Sequence, residues 1–432
     1  MTDLRRRRFL QIPVAGMLGG CAATGQNGAV EKETRRLHVV VVGGGYGGAT
    51  AARYLKKLDP TIEVTLVEYN KVYATAPGSN WVLGGIKSFP SLLVKYRKLE
   101  KLGIRVIHDW VSAVDVEGRN LRFDDDSRLG YDRLILAPGT VLDWKQIEGY
   151  DDDAAEKAPH AWKAGLQTVL LSKQLKTMRT GGQFIVSMPE GAMGCRQAAY
   201  ERVSMAAHYL SQNNPRAKVI LLDPLDTSPL RDRFVRVWER LYGFGGDSSV
   251  IDLITGRDMR LQKVDATARA VYVGAIQQRF KADVLNVIPR EKAAVLAQAA
   301  GLVDDSGWCP VNPLTGESRL VPGIHVIGDA ARLDDVGKHA AIASNMAKLC
   351  AHAIVASARA DESLQNATLI DACYSLVSDK DALVSLALVS IDGSAITSRK
   401  DAAQTAASAD HYKANVEFAK SWWRNSRADS WG

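Results

Sequence analysis

Residues 37–48 read Leu-His-Val-Val-Val-Val-Gly-Gly-Gly-Tyr-Gly-Gly, and this stretch decides the fold that we predict. An unbroken run of β-branched residues is typical of a strand buried on both faces of a parallel sheet. Gly43, Gly45 and Gly48 follow with the Gly-x-Gly-x-x-Gly spacing, which allows a tight turn, a close approach to a pyrophosphate and the start of a helix. The stretch therefore predicts a dinucleotide site, with a glycine-rich turn that binds nothing as the alternative.

The segments after the glycines support this prediction. Residues 49–55 have a helical pattern, and residues 62–68 have the pattern of a second strand. That strand ends on Glu68, 25 positions after Gly43 (68 − 43), which is near the usual spacing for a carboxylate that binds ribose hydroxyls. The start of the domain is therefore a strand, helix and strand of the Rossmann type.

The first residues of the chain do not belong to this fold. Four arginines at residues 5–8 precede Phe-Leu and a short apolar run, which is too short to span a membrane as a mature helix. Paired arginines in this setting resemble the twin-arginine signal, which exports folded proteins, so we expect a periplasmic location. Small residues before Cys21 also resemble a lipoprotein cleavage site. Cys21 is then a candidate for a lipid anchor, and cleavage near Ala22 without a lipid is the alternative.

The net charge argues against a nucleic-acid partner. The sequence has 55 Lys and Arg against 48 Asp and Glu, or +7, and four Arg and one Asp in residues 1–20 supply +3 of this. The remaining +4 (7 − 3) is too small and too mixed in sign to indicate nucleic-acid binding. No membrane-spanning run is predicted after the leader, and about 400 residues are enough for two or three domains.

A second nucleotide-type unit is predicted from residues 182–187 and 218–223, which both have strand patterns. The first of these strands leads into Met-Pro-Glu-Gly-Ala-Met-Gly-Cys at residues 188–195. Gly191 and Gly194 are present there, but the Gly-x-Gly-x-x-Gly spacing is absent, so the backbone cannot form the same pyrophosphate site. We therefore expect a degenerate second domain that binds no NAD(P)H.

Four cysteines follow the leader: Cys195, Cys309, Cys350 and Cys373. Cys350 lies in an apolar helical pattern and is interpreted as a core residue, and Cys309 also has a structural interpretation. Cys195 precedes a predicted helix at residues 198–210, where the helix N-terminus and Arg196 would stabilise a thiolate. The residues alone do not choose among the three pairings of four cysteines, and no close-spaced Cys/His cluster indicates a metal.

Two later segments resemble the flavin site of two-dinucleotide flavoproteins. They are Leu-Ile-Leu-Ala-Pro-Gly at residues 134–139 and Gly-Ile-His-Val-Ile-Gly-Asp at residues 323–329. The resemblance implies FAD, with Asp329 on the ribityl chain and a helix from about Ala340 directed at the flavin ring. A helix-capping role is the alternative for Asp329. The positions that would bind FAD are Gly43, Gly45, Gly48, Glu68, Gly139 and Asp329.

From residue 37 onward the chain resembles the flavoprotein subunit of flavocytochrome c sulfide dehydrogenase. The runs that carry this resemblance include residues 43–52, 63–68, 159–165, 200–202, 238–245, 280–284, 300–311, 373–375, 392–396 and 418–423. It implies an α/β fold with two Rossmann-like dinucleotide-binding domains, the FAD domain being split in sequence, and a C-terminal interface domain. The predicted ranges are 1–34 for the signal and linker, 35–155 and 281–350 for the FAD domain, 156–280 for the second domain and 351–432 for the C-terminal domain.

The same resemblance implies a chemistry. Cys195 and Cys373 would form a redox disulfide beside FAD, and Glu201 would be the acid/base group. Sulfide or a related small sulfur anion would be oxidised there, and the electrons would pass to a c-type cytochrome. Since the sequence contains no Cys-x-x-Cys-His, the haem is expected on a separate subunit. The alternatives are a purely structural disulfide and a solvated helix residue at Glu201.

The sequence departs from the family in three places. Ala76 stands where the family has its flavin-linking cysteine, so FAD is expected to be held without a covalent bond. Residues 196–198, Arg-Gln-Ala, replace a proline-rich turn, and residues 331–338 also differ near the flavin. Two other functions stay open: a sulfide:quinone reductase type of enzyme and a non-catalytic flavin redox adaptor of a sulfur-oxidation system.

Overall fold

The computed structural model describes residues 36–432, except for Ala192, Asp335, Ser363 and residues 401–408. The predicted leader, with its paired arginines and Cys21, lies outside the described residues. Its interpretation as an export signal therefore stays a prediction.

The helices and strands of the described residues alternate over most of the chain. The helices are α1 (Tyr46–Leu58), α2 (Ser79–Leu83), α3 (Arg97–Glu100), α4 (Asp152–Ala155), α5 (Leu166–Lys176), α6 (Arg196–Asn213), α7 (Pro229–Tyr242), α8 (Val295–Ala299), α9 (Ala340–Arg359) and α10 (Ala409–Trp431). The strands are β1 (His38–Val42), β2 (Glu63–Val67), β3 (Tyr73–Ala74), β4 (Leu93–Val94), β5 (Arg105–Ile107), β6 (Val111–Asp115), β7 (Asn120–Phe123), β8 (Arg128–Gly130), β9 (Arg133–Leu136), β10 (Thr140–Leu142), β11 (Gln183–Ser187), β12 (Lys218–Asp223), β13 (Ile251–Thr255), β14 (Leu261–Asp265), β15 (Ala270–Val273), β16 (Gln278–Lys281), β17 (Val284–Val287), β18 (Glu291–Ala293), β19 (Cys309–Pro310), β20 (Ile324–Val326), β21 (Ala331–Arg332), β22 (Asn366–Leu376), β23 (Ala382–Asp392) and β24 (Ala395–Lys400).

The first sheet has the strand order β20-β9-β1-β2-β5, and its paired strands are all parallel. Val39, Val40 and Val41 of β1 are fully buried at its centre, as the valine run predicts. Strand β20 comes from the predicted second part of the FAD domain and pairs with β9 from the first part. Helices α1 and α9 pack against each other beside this sheet.

In a parallel sheet the carboxyl ends of the strands lie at one edge, and folds of this type bind nucleotides at that edge. Gly43 directly follows β1, and Glu68 directly follows β2. Gly139 follows β9, and Asp329 lies in a short 3-10 turn after β20. The predicted FAD-binding positions therefore share one edge of the sheet.

The second sheet, of order β13-β12-β11-β17, is also parallel and confirms the predicted α/β class with a second Rossmann-like unit. Helix α6 follows β11 through the glycine-containing loop. It begins at Arg196, two residues before the predicted start, because Cys195 already adopts the extended N-cap conformation.

The C-terminal part is an antiparallel sheet of order β22-β23-β24, on which helix α10 packs. Val416, Ala419 and Trp423 of α10 are buried in a cluster with Trp81 and Leu376. Among the described residues, α9 is long and apolar enough to cross a membrane by length and composition, but 56% of that stretch is buried inside the fold.

Candidate active site

The structure brings the sulfurs of Cys195 and Cys373 to 3.4 Å from each other. Both residues are half-buried free thiols, since a disulfide bond is about 2.05 Å long. Cys309 and Cys350 are fully buried elsewhere. Of the three pairings that the residues left open, the geometry therefore favours the pair that the family resemblance implies.

Two elements that are distant in sequence position these sulfurs. Cys195 is the N-cap of α6, and Cys373 lies in β22 opposite Ser385 of β23. The side chain of Gln197 donates to the carbonyl of Cys373 at 3.4 Å and accepts from the Ser385 hydroxyl at 2.8 Å. The first turn of α6 is thereby fastened to the C-terminal sheet.

The two thiols differ in acidity. The hydrogen bond from the Cys373 thiol is the largest effect on Cys195, and it lowers the pKa of the Cys195 thiol to about 7, helped by the charge of His339 and opposed by burial. The same hydrogen bond and burial raise the pKa of Cys373 well above its usual value. The negative charge of the reduced pair therefore resides on Cys195, at the N-terminus of α6.

His339 is a residue of this site that the sequence analysis missed. It is the N-cap of α9, and its Nε2 lies 2.7 Å from Oδ1 of Asp371. Burial disfavours the charged imidazole, but the hydrogen bond with Asp371 and the charge of Cys195 outweigh burial and raise the pKa of His339 to about 9. Asp371 precedes Cys373 by two residues on β22, so both side chains share one face of the strand, and this spacing could have indicated the site.

Glu201 is buried, which excludes the alternative of a solvated helix residue. Its Oε1 accepts hydrogen bonds from the Trp81 indole and the Leu376 backbone N–H, each at 2.9 Å. Its Oε2 accepts from the Asn80 side chain, also at 2.9 Å. Burial raises the pKa of Glu201 against the effect of these donors. The carboxylate thus joins α2, α6 and β22, and its charge acts on both thiols.

The glycine spacing of the first loop has a direct structural reason. Gly43 has φ +97°, and a Cβ there would lie 2.2 Å from the carbonyl oxygen of Ala137. A Cβ on Gly48 would lie 1.8 Å from the carbonyl oxygen of Gly43. The Glu68 carboxylate accepts from the Gly44 backbone N–H at 2.7 Å, so strand β2 and the loop meet at the predicted ribose position.

Comparisons with known proteins show to which family the chain belongs. Residues 168–289 match the central region of the sulfide dehydrogenase [flavocytochrome c] flavoprotein chain family, and residues 37–182 match the pyridine nucleotide-disulphide oxidoreductase family. The sulfide dehydrogenase [flavocytochrome c] flavoprotein chain of Chlorobaculum thiosulfatiphilum is 64% identical over 44 residues, which are 10% of this chain and 92% of that sequence. The chain belongs to the family of flavocytochrome c sulfide dehydrogenase flavoprotein chains.

Two sulfide:quinone oxidoreductases are more distantly similar to this family member. The mitochondrial enzyme of Mus musculus is 22% identical over 320 residues, or 73% of this chain and 70% of that protein. The solved structure of the Aquifex aeolicus enzyme has a TM-score of 0.70 at 18% identity, covering 91% of this chain and 92% of that one. At this identity the structural likeness shows the shared fold.

Members of the flavocytochrome c sulfide dehydrogenase family are FAD-binding flavoproteins, and the residues present fit this cofactor. The backbone at Gly43 and Gly48 approaches its neighbours too closely for any side chain. Within the described residues, no hydrogen-bond donor satisfies the Asp329 carboxylate, whose pKa is raised by burial and by the charge of Glu291. Around Gly139, where φ is +68°, no described atom lies within 4 Å of an added Cβ. Helix α9 begins at Ala340, as predicted.

In the second domain, side chains of the protein itself occupy the loop that would bind a nucleotide. The Gly194 backbone N–H donates to Glu291 at 2.6 Å, so a carboxylate stands where a phosphate would bind. Asp223, at the end of β12, is paired with Arg196 at 3.2 Å and with the Tyr200 hydroxyl. Both positions that hold a dinucleotide in an intact Rossmann domain are therefore already engaged.

Proposed function

We propose that this flavoprotein oxidises hydrosulfide, or a closely related sulfur anion, at the Cys195–Cys373 pair and passes the electrons through FAD. The observation that carries the proposal is the 3.4 Å separation of two sulfurs with opposite shifts in acidity. The similarity to the sulfide:quinone oxidoreductase of Mus musculus and the sulfide dehydrogenase flavoprotein chain of Chlorobaculum thiosulfatiphilum supports the substrate class.

The first step follows from the chemistry of disulfides. Hydrosulfide, an anion at neutral pH, attacks the sulfur of Cys373 in the oxidised pair. A new S–S bond forms to Cys373, the bond between the two cysteines breaks, and its electron pair leaves with Cys195. Because a thiolate of low pKa is the better leaving group, the acidity of Cys195 favours this direction. The products are a persulfide on Cys373 and a thiolate on Cys195.

The remaining roles belong to residues around the pair. A second hydrosulfide would remove the outer sulfur of the Cys373 persulfide as HSS−, which leaves Cys373 as a thiol. Asp329 and the glycine loop would hold FAD, which would accept the two electrons when the resulting dithiol returns to the disulfide. Glu201 links α2, α6 and β22 through its hydrogen bonds. It is also the candidate group for transferring a proton near the sulfurs. Its raised pKa is suited to acid/base work nearer to neutral pH than an exposed glutamate.

As acceptor we infer a c-type cytochrome on a separate subunit in the periplasm. The flavocytochrome c description of the family supports a cytochrome partner. The paired arginines of residues 5–8 support export as a folded protein, and Cys21 stays a candidate lipid site. The filled loop of the second domain supports the absence of NAD(P)H from the reaction.

A sulfide:quinone reductase is the second candidate, favoured by the long match to the Mus musculus enzyme. Against it, the apolar residues Val416, Ala419 and Trp423 of α10 are buried within the fold and not presented to a bilayer. Phe418 is exposed, but it is not part of a broad apolar face among the described residues of α10.

Anaerobic stopped-flow spectroscopy tests the proposal. Hydrosulfide should bleach the flavin absorbance, and the reduced protein should then reduce oxidised cytochrome c faster than it reduces a soluble quinone analogue. Faster reduction of the quinone would establish the second candidate. A flavin that hydrosulfide does not reduce, in a protein that still binds a c-type cytochrome, would contradict catalysis and indicate a redox adaptor.

A further inference from the structure

His339, Asp371 and Cys195 form a cluster from three separate elements. The His339–Asp371 contact is 2.7 Å, and both side chains are largely shielded from solvent. A Cβ on Gly194 would lie 3.3 Å from the carbonyl oxygen of Lys338, so the loop that carries Cys195 packs against the segment that carries His339. Residues 194–195 and 338–339 are therefore neighbours in the fold, and the carboxylate that holds the imidazole lies two residues from Cys373 on β22.

We propose that His339, oriented by Asp371, is a positioning residue that stabilises the thiolate of Cys195 when the sulfur pair opens. The inference rests on the proposed function for its role in turnover, although the charge pair itself is a property of the reduced protein. His339 and Asp371 would thus stabilise the thiolate that leaves, a role that neither the cysteines nor Glu201 can supply.

The charges around the cluster favour this assignment. Three acidic groups raise the pKa of the imidazole through their negative charges. They are Asp371 from β22, Cys195 from the start of α6 and Asp329 from the turn after β20. The neighbouring cation, Lys338, is directed elsewhere, since its Nζ donates to the carbonyl of Asp329 at 3.0 Å and lies 3.9 Å from the Trp308 ring centroid.

The sulfur pair has its own set of charged neighbours. Glu201 is negative and opposes a thiolate on either cysteine. Burial lowers the pKa of Arg233, and the charge of Cys373 acts in the opposite direction. The Arg233 guanidinium, however, donates its hydrogen bonds to the Ser385 hydroxyl at 2.8 Å and to the Val384 carbonyl. His339 is therefore the cation that acts on Cys195 among the groups that shift its pKa.

The attack of hydrosulfide on Cys373, which His339 assists, conserves both atoms and charge. One hydrosulfide anion enters, its sulfur bonds to Cys373, and one negative charge appears on Cys195 as the S–S bond breaks. No proton has to move, and the positive charge of the His339 imidazolium stabilises the negative charge that appears on Cys195. The hydrogen bond to Asp371 keeps the imidazole protonated and fixes its orientation.

The two titrations define a pH window. His339 has a raised pKa, so its contribution to stability is complete below its ordinary pKa of 6.5 and is lost as the pH rises through about 9. Cys195 has a lowered pKa, so its contribution is complete above its ordinary pKa of 9.0 and is lost as the pH falls through about 7. Both groups are charged between about pH 7 and about pH 9.

The test measures the acidity of Cys195 in the reduced protein with FAD bound. Iodoacetamide labels thiolates, and mass spectrometry of the peptide that contains Cys195 separates this residue from the other cysteines. Wild-type labelling should rise through about pH 7. In His339→Gln the midpoint should move up by about one pH unit or more, because an opposite charge has been removed. Asp371→Asn should move it in the same direction.

Two further variants make the result specific. His339→Lys keeps a cation and should keep the midpoint close to that of wild type. His352→Gln, on the same helix α9, should leave it unchanged. A wild-type midpoint in His339→Gln, or a midpoint in His339→Lys as high as in His339→Gln, would overturn the inference.

A second measurement needs no substitution. Histidine NMR titrations of the wild-type protein should show a His339 pKa of about 9 in the dithiol form and a lower pKa after oxidation to the disulfide, when Cys195 has lost its charge. Equal values in the two forms would overturn the inference. Neither measurement uses sulfide, so a protein that shows these shifts but no sulfide-dependent reduction would contradict the proposed function alone.

Discussion

Cys195 and Cys373 are chemically unequal although they lie 3.4 Å apart. Cys195 is the N-cap of a helix and is influenced by the charge of His339, whereas Cys373 lies on a strand with Asp371 two residues before it. In both Cys195→Ser and Cys373→Ser, sulfide-dependent flavin reduction should fall by several orders of magnitude, because no electrophilic sulfur remains. Each variant should still fold and bind FAD, as stopped-flow reduction, flavin content and thermal melts can show together.

Cys350→Ala is the matched control for these two variants. Cys350 is fully buried in α9 among alanines, so its loss removes a thiol without touching the sulfur pair. We expect sulfide to reduce its flavin at the wild-type rate. If the disulfide were only structural, Cys195→Ser would lose roughly 2–5 kcal/mol of stability with catalysis intact. Near-normal flavin reduction in either active-site variant would refute the catalytic assignment.

At the scale of elements, side chains of the protein itself bind the loop between β11 and α6. Glu291 accepts from Gly194, and it also accepts from the Trp162 indole at 2.9 Å and from the Thr140 hydroxyl at 2.6 Å. A pyrophosphate that entered this loop would have to displace a carboxylate with three donors. Repulsion between the two anions would add to that cost.

NADH and NADPH should therefore neither bleach the flavin rapidly nor bind with micromolar affinity. Anaerobic mixing of either nucleotide with the oxidised protein, followed at the flavin absorbance, checks the kinetics, and calorimetry checks binding. Reduction of the same sample by dithionite is the control for a competent flavin. Rapid bleaching by either nucleotide would contradict the prediction that the second domain binds no NAD(P)H.

Elements that depend on local pattern could be predicted from the sequence, and contacts between distant segments could not. The valine run and the glycine spacing predicted β1 and α1, and the flavin-site resemblance of residues 323–329 predicted the start of α9 at about Ala340. His339 was missed because its partners, Asp371 and Cys195, come from other elements that only the packed fold brings together. For Glu201, a spacing of six residues from Cys195 does not show whether the two side chains are close to each other, and it is contacts with α2 and β22 that hold the carboxylate in its buried position.

At the scale of the whole molecule, the end of α10 returns to the first glycine loop. The Trp431 indole donates to the Gly44 carbonyl at 3.2 Å and stacks on the Tyr73 ring at 5.6 Å between centroids. The Ser430 hydroxyl lies 2.8 Å from that of Thr50 in α1. Residues from both ends of the described chain thus shape the loop that would hold FAD.

Since Ala76 offers no sulfur for a covalent link, we expect FAD to be held without a covalent bond and these contacts to contribute to its retention. Acid precipitation should release all of the flavin into the supernatant. Trp431→Ala should raise the Kd for FAD by about tenfold or more, because losing roughly 1–2 kcal/mol of support for the loop corresponds to that factor. Phe418→Ala, at an exposed position of the same helix, is the control and should bind FAD like wild type. Flavin that stays in the acid pellet would reveal a covalent bond at another residue. An unchanged Kd in Trp431→Ala would show that the C-terminal helix does not support the site.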